Sequence, residues 1–366
     1  MRFLLLCTDA YGGHGGIALF NRQLVGALAA HPACEQVVVV PRLIVTREND
    51  SLSPIVAFDA GAARGKLAWV NAVRRRAREH FDIVFCGHIN LLPATRLFDQ
   101  PPVLITHGIE AWKPVRRPFI AGTRAAISVS ELTRDRFLSW SHFAGPTYVL
   151  PNAVRLEQYG VRPKRADLLA RWGLAGKRVL LTFGRIVAAE RYKGFDDVLE
   201  IMPELDRDIV YVIAGKGDDT DRLRRKARDL GVADRVVFTG FVAEEEKADL
   251  YALADVYVMP SRGEGFGFVL LEAMACGVPV IGSKHDGGRE ALRNGALGTL
   301  VDPANPAEIR TAINDLLRDG KRGVPAGMEY FAYERFVERV HAIVEDLSGG
   351  NRRYEPGKVL ESFHRQ

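Results

Sequence analysis

Short apolar runs alternate with amphipathic stretches along most of this chain, and that alternation constrains its fold more than any other feature. The runs "RFLLLC", "QVVVVP", "FDIVFC", "PVLITH" and "AAISVS" are bounded by turn residues and carry no polar face. A strand that is apolar on both faces must be covered on both faces, as in a parallel sheet held between helices. The intervening stretches "IALFNRQLVGALAAH" and "GKLAWVNAVRRRAREH" place apolar residues at helical spacing. Strand, helix and strand in this order give a doubly wound α/β sheet.

The rhythm pauses at "YVLPNAVRLEQY" and passes through the Arg-rich "GVRPKRADLLARWGLAGK". A second series then begins, with "RVLLTFG", "IVYVIAG", "RVVFTG", "DVYVMPS", "VPVIGS" and "GTLVD". A length of 366 residues also favours two domains over one. The expected arrangement is a Rossmann-like domain over 1–155 and a second over 156–330. The helix "FAYERFVERVHAIVEDL", within 331–366, is expected to return to the first domain ahead of a polar tail. Two such domains would turn the C-terminal ends of their strands toward a shared cleft, where open α/β sheets bind ligands.

Composition narrows the function classes. With 47% hydrophobic and 26% charged residues, the chain reads as an ordinary globular protein. No apolar run approaches the ~18 residues of a membrane span. "FLLLC" is cut off by Thr8 and Asp9, so it reads as a buried strand and not as a leader. Cys7, Cys34, Cys86 and Cys276 are scattered, without zinc-ligand spacing, which fits a reducing cytoplasm. Residues 1–150 hold 17 Lys and Arg against 11 Asp and Glu, whereas the remainder is nearly balanced. The basic first half suggests an anionic partner. No nucleic-acid-binding module is present, and the excess charge is too small to argue for one.

Two glycine-rich stretches then compete to define the ligand. In "DAYGGHGGIALFNRQL", Gly13, Gly15 and Ala18 spell G-x-G-x-x-A between a strand and a helix, a permitted dinucleotide fingerprint. Arg42, ending "VVVVPR", is a candidate reader of a 2′-phosphate, which makes an NADP-dependent oxidoreductase one hypothesis. The second stretch, "SRGEGFGFVLLEAMACGVPVIGS", starts where the strand "DVYVMP" ends. Its glycines permit a tight turn, and "FVLLEAMAC" reads as a helix whose first amides suit an anion. Gly277 and Pro279 mark its stop. Glu264 and Glu272 lie eight positions apart. Helical spacing would separate them by ~12 Å, more than the roughly 9.5 Å a glycosidase pair allows. One carboxylate at each end of a long ligand is the better reading. Glu272 lies among apolar residues, and a buried carboxylate needs partners.

"EGFGFVLLEAMACGVPVI" resembles the E-x7-E signature of the retaining GT-B glycosyltransferases of family 4. "LLTFGRIVAAERYKGFDDVLEIM" is similar to that family's G-R…K-G segment, and "VLPNAV" to its P-N-G-V crossing. "YVIAGKGDD" and "VVFTGFVAEEEKADLYALADVYVMPS" resemble its base-binding region. The resemblance implies a GT-B fold, two Rossmann-like domains facing across a cleft. It also implies sugar transfer from a UDP- or GDP-linked donor to a hydroxyl with retention, and without cofactor or metal. Arg185, after Gly184, and Lys193 match the basic pair that grips the diphosphate. Glu272 matches the ribose-binding residue and Glu264 the one that contacts the sugar. Gly265, Phe266, Gly267 and Phe268 would present amides to the donor, and Val242 would meet the base. His107, after "VLIT", matches a histidine beside the anomeric centre, where it would orient the reacting groups. Glu110 and Trp112 are candidates for the acceptor side. Gly15 and Gly16 match the family's G-G after the first strand, which makes the G-x-G-x-x-A spacing a coincidence.

The chain departs from the family at "PNAV" and at "DGGREAL". The latter carries Gly287, Gly288 and Glu290 where the family has G-G-x-x-E. Lys66, Arg74, Arg75, Arg76 and Arg78 share a helix with Leu67, Trp69, Val70 and Val73, and Lys113, Arg116 and Arg117 follow. Two readings stand for this helix: a surface that lies on anionic lipid at the inner membrane face, or a solvated face packed on the sheet. A degenerate, non-catalytic scaffold is the third functional hypothesis, against which Arg185, Lys193, Glu264 and Glu272 speak.

Overall fold

The computed structural model describes residues 1–12, 15–44, 52–115 and 117–349. Gly13 of the glycine loop, Arg116 and the polar tail from residue 350 lie outside them. The chain divides into two units: Met1–Ala153 joined by the segment from Tyr333, and Val154–Ala332.

The first unit holds β1 (Arg2–Cys7), β2 (Gln36–Pro41), β3 (Val56–Phe58), β4 (Ile83–Cys86), β5 (Val103–Thr106), β6 (Ala125–Ser128) and β7 (Thr147–Val149). They form one parallel sheet in the order β3-β2-β1-β4-β5-β6-β7. The second holds β8 (Arg178–Phe183), β9 (Ile209–Ala214), β10 (Val236–Gly240), β11 (Val256–Val258), β12 (Val280–Ser283) and β13 (Thr299–Val301). Their order is β10-β9-β8-β11-β12-β13, again parallel. The apolar runs set this pattern: Leu4, Leu5, Leu6 and Val37 to Val40 are fully buried, as strands covered on both faces must be. Each such side chain removed from water contributes about 1.5–3 kcal/mol. In the second unit Leu180, Ile213, Val258 and Ile281 pack with Val198, Leu199, Ile309 and Ile313 of the covering helices.

Strand order reverses between β1 and β4 in one sheet and between β8 and β11 in the other. Ligands of such sheets bind at the carboxyl ends beside that reversal. Two strands, β3 and β7, escaped the sequence reading. Both are three-residue edge strands, largely half-buried, so neither shows a buried apolar run.

The helix Gly16–Ala29 starts from Gly15, whose φ of 107° is open to glycine. The helix Tyr333–Leu347 packs against it within the first unit. Phe336 meets Phe20 edge-on at 5.7 Å, Tyr333 donates to the Gln23 carbonyl (3.3 Å), and His341 Nε2 donates to the Ala27 carbonyl (2.9 Å).

In the second unit the turns after β8 and β9 press together. A Cβ added at Gly217 would lie 2.0 Å from the Ile186 carbonyl oxygen. Gly217→Ala is therefore expected to destabilise the protein by about 2 kcal/mol or more. Chemical denaturation checks this, and an unchanged midpoint would contradict the close approach.

Candidate active site

The basic pair is placed by β8 and by the turn that follows it. Arg185 stands two residues beyond the strand, with its side chain 70% exposed and its guanidinium paired with Glu190. The short helical segment Ala188–Lys193 kinks at Glu190 and ends at Gly194, whose φ is 84°. A Cβ at Gly194 would lie 2.7 Å from the Pro260 carbonyl, so only glycine lets the segment approach the end of β11 this closely. That contact delivers Lys193 to the Glu264 loop. Lys193 Nζ donates to Glu264 Oε2 at 3.1 Å and lies 3.7 Å from Glu190 Oε2, with all three side chains mostly buried. Burial alone would discharge Lys193. Glu264, Tyr192 and Glu190 outweigh it and hold the ammonium above the ordinary lysine pKa. Burial also pushes the neighbouring Tyr192 phenol up to about 12.

The Glu264 loop is tied to the loop after β12 by Asp286. Ser261 Oγ donates to Asp286 Oδ2 (2.6 Å), as does the Glu264 N–H (2.9 Å), while the Gly288 N–H donates to Oδ1 (3.0 Å). The Gly287 N–H donates to the Glu264 carbonyl at 2.8 Å, and a Cβ at Gly287 would lie 2.0 Å from the Gly265 carbonyl. The two glycines before Glu290 thus shape this loop contact. Phe266 and Phe268 are buried, and Phe266 packs edge-on against Phe331 at 5.6 Å. Gly267, with φ 96°, starts the helix Phe268–Ala275. Among the described residues, no protein acceptor takes the N–H groups of Gly265, Phe266, Gly267 and Phe268. Unsatisfied amides at a helix start favour an anionic ligand.

Glu272 lies inside that helix and is 2% exposed. Tyr251 donates to its Oε2 at 2.7 Å, and Lys247 Nζ reaches Oε1 at 3.4 Å. Burial works against the charge on Lys247, but Glu272 and Glu244 overcome it and raise its pKa. Burial and Glu272 together hold the Tyr251 and Tyr159 phenols protonated. The two signature glutamates therefore sit in two distinct clusters, each with its own lysine. Val242, just past β10, is buried, while Phe241 beside it is 57% exposed and lies under Lys216 Nζ at 4.9 Å.

In the first unit, His107 follows β5 and is half-buried, packed ring edge to face on Phe20 at 5.0 Å. Its Nε2 lies 3.0 Å from the Gly87 carbonyl, which can only accept, so Nε2 carries the proton and Nδ1 the lone pair. Burial lowers its pKa, against the opposing pull of Glu110. Glu110 is half-buried beside it. Its carboxylate accepts from the N–H groups of His107 and Gly108 and caps the turn Ile109–Trp112. Trp112 has one ring face covered by the Arg136 guanidinium at 4.0 Å, and its Nε1 donates to Thr133 at 3.3 Å. Gly15 and Gly16 are exposed at the start of their helix. The basic helix runs Lys66–Arg76, so Arg78 lies two residues past its end and does not share it; Arg75 and Arg76 pair with Asp59, while Lys66, Arg74 and Arg78 are exposed.

Tyr251, Lys247 and Glu190 were not picked out by sequence reasoning. Lys247 and Tyr251 stand four apart on one helix face, a spacing that marks a shared target. Asp286 directly precedes the paired glycines of "DGGREAL", which is the signal that could have found it.

Two parallel α/β units with a cation–carboxylate cluster at one strand reversal define a GT-B glycosyltransferase. The family profile "Glycosyl transferases group 1" matches residues 167–335. A GDP-mannose-dependent alpha-(1-6)-phosphatidylinositol monomannoside mannosyltransferase of Mycolicibacterium smegmatis is 37% identical, over 68% of this chain and 70% of its own length. The Mycobacterium tuberculosis protein of the same name is 32% identical, over 89% of this chain and 91% of its own. The solved structure of Anabaena HepE in complex with UDP and glucose shares the fold, with a TM-score of 0.72 at 22% identity over 95% of this chain and 100% of that one. The chain belongs to the group 1 glycosyl transferase family. This membership leaves the dinucleotide reading of Gly13, Gly15 and Ala18 without support.

Asp286 supplies a pH test of the loop contact. Burial first, and Glu264 beside it, raise its pKa from 3.8 to about 6. The folded state then holds this proton more tightly than the unfolded chain. Its contribution is full below about pH 4 and is lost as pH rises through about 6. Asp286→Asn should remove that part of the pH dependence, worth up to about 3 kcal/mol. Urea denaturation of both proteins at pH 4 and pH 7 measures it, and parallel profiles would refute the assignment.

Proposed function

We propose that this protein transfers a hexose from a nucleoside diphosphate sugar to an acceptor hydroxyl, with retention at the anomeric carbon and without a divalent metal. The observation that carries the proposal is Lys193 held beside Glu264 at the ends of β8 and β11, with Arg185 on the same turn paired to Glu190. A leaving diphosphate gains charge as the glycosidic bond breaks. Fixed cations stabilise that charge most in the transition state. On this reading Lys193 exchanges Glu264 for a phosphate oxygen, and Glu264 accepts from a sugar hydroxyl. Glu272, already oriented by Tyr251, accepts from the ribose. The new C1–oxygen bond forms on the face that the phosphate leaves, and the departing phosphate oxygen takes the acceptor proton. His107, neutral and fixed by its Nε2 bond, orients the reacting groups and carries no charge of its own.

The mannosyltransferase relatives favour GDP-mannose as donor and a glycolipid as acceptor. No helix among the described residues is long and apolar enough to cross a membrane. Contact with anionic lipid falls to Lys66, Arg74 and Arg78 around Leu67, which is 80% exposed. A Leu67→Asp, Arg74→Glu variant should lose sedimentation with phosphatidylglycerol vesicles. Undiminished sedimentation would exclude this face.

Lys193→Ala and Glu272→Ala should each lower kcat/KM for the sugar donor by roughly a hundredfold or more while the melting transition remains cooperative. Donor turnover measured by nucleoside diphosphate release checks this. Full activity in both variants would overturn the site. Stabilisation of the wild type by NADPH but by neither GDP nor UDP would overturn the reaction class.

A further inference from the structure

Four charges meet at the proposed diphosphate grip, and they cancel. Arg185 pairs with Glu190, and Lys193 lies between Glu190 and Glu264. A site built only to attract a diphosphate would leave its cations uncompensated. Glu264 has a role in the proposed reaction, since it can turn to the sugar. Glu190 has none. Its side chain is 12% exposed, and among the described residues no hydrogen-bond donor reaches its Oε2. A buried carboxylate oxygen without a hydrogen-bond donor is unfavourable, and what faces this one is the Lys193 ammonium at 3.7 Å. It lies in the kinked segment between Arg185 and Lys193, at a non-helical φ of −116° and ψ of 27°, and so faces both cations.

We infer that Glu190 is a positioning residue that competes with the donor's diphosphate for Arg185 and Lys193. With the site empty it holds both cations in place. With the site filled it remains as a negative charge beside the phosphates, weakening the hold on the nucleoside diphosphate left after sugar transfer. Tight binding of that product would trap the enzyme, and Glu190 sets the balance between grip and release. The inference rests on the reading of Arg185 and Lys193 as the diphosphate grip.

Titration calorimetry of the full chain with GDP and with UDP tests both levels separately. Glu190→Gln keeps the shape of the side chain and removes its charge. It should bind the better of the two nucleotides about fivefold more tightly than wild type, because one close like charge is gone. Product inhibition during turnover should strengthen in parallel. Glu190→Asp restores the charge and should return affinity toward wild type. A purely structural role predicts the opposite sign, since a damaged site binds more weakly. Unchanged or weaker binding by Glu190→Gln, with Lys193→Ala still impaired, would overturn the role of Glu190 alone. Wild-type affinity in Lys193→Ala would overturn the grip itself and this inference with it.

Discussion

The ion pair between Lys193 and Glu264 is the constraint on which the rest of the second unit's site depends. The lysine follows β8 and the glutamate follows β11, the two strands flanking the reversal of strand order. Both side chains are mostly buried, at 14% and 19% exposure. Two charges taken from water are tolerated only with good geometry and additional partners. The surroundings meet that demand. Gly194 lets the lysine segment close on Pro260, Asp286 secures the Glu264 backbone, and Gly287 closes over Gly265. The stability of the pair therefore comes from the loops, and the geometry of the loops is justified by the pair.

A second buried pair repeats the arrangement at the other end of the signature. Glu272 sits on a helix whose other residues are nearly all apolar, and Tyr251 and Lys247 reach it from a neighbouring helix. Removing one partner of such a group leaves an uncompensated charge, so each carboxylate has its partners in place before any ligand arrives. Preorganised charge costs no rearrangement at the moment of reaction, and a transferase with an anionic leaving group gains most from it.

Much of this was legible in the sequence, for a definite reason. Strands covered on both faces, such as β1, β2 and β9, are apolar wherever they are buried and read as runs, and the half-buried edge strands β10 and β13 carried enough of a run to be read too; β3 and β7 did not. Arg185, Lys193, Glu264 and Glu272 are singled out by the resemblance of "GRIVAAERYKG" and "EGFGFVLLE" to the family's segments, and each follows a strand end or lies on the helix after one. Tyr251 and Asp286 were missed because their partners lie 21 and 25 positions away, and the helical spacing of Lys247 and Tyr251 does not say which residue they meet; Glu190 was missed although its partners lie within its own segment. Glu110 shows the same limit: its Oε1 accepts from the backbone of its own turn, a contact the sequence does not display.

The most direct test of the central claim is a crystal structure of the protein with an intact nucleoside diphosphate sugar. The account predicts phosphate oxygens on Lys193 and Arg185, the ribose hydroxyls on Glu272, and Glu264 turned from Lys193 to the sugar. A donor bound elsewhere, or a Lys193–Glu264 pair left unbroken beneath a bound diphosphate, would contradict it.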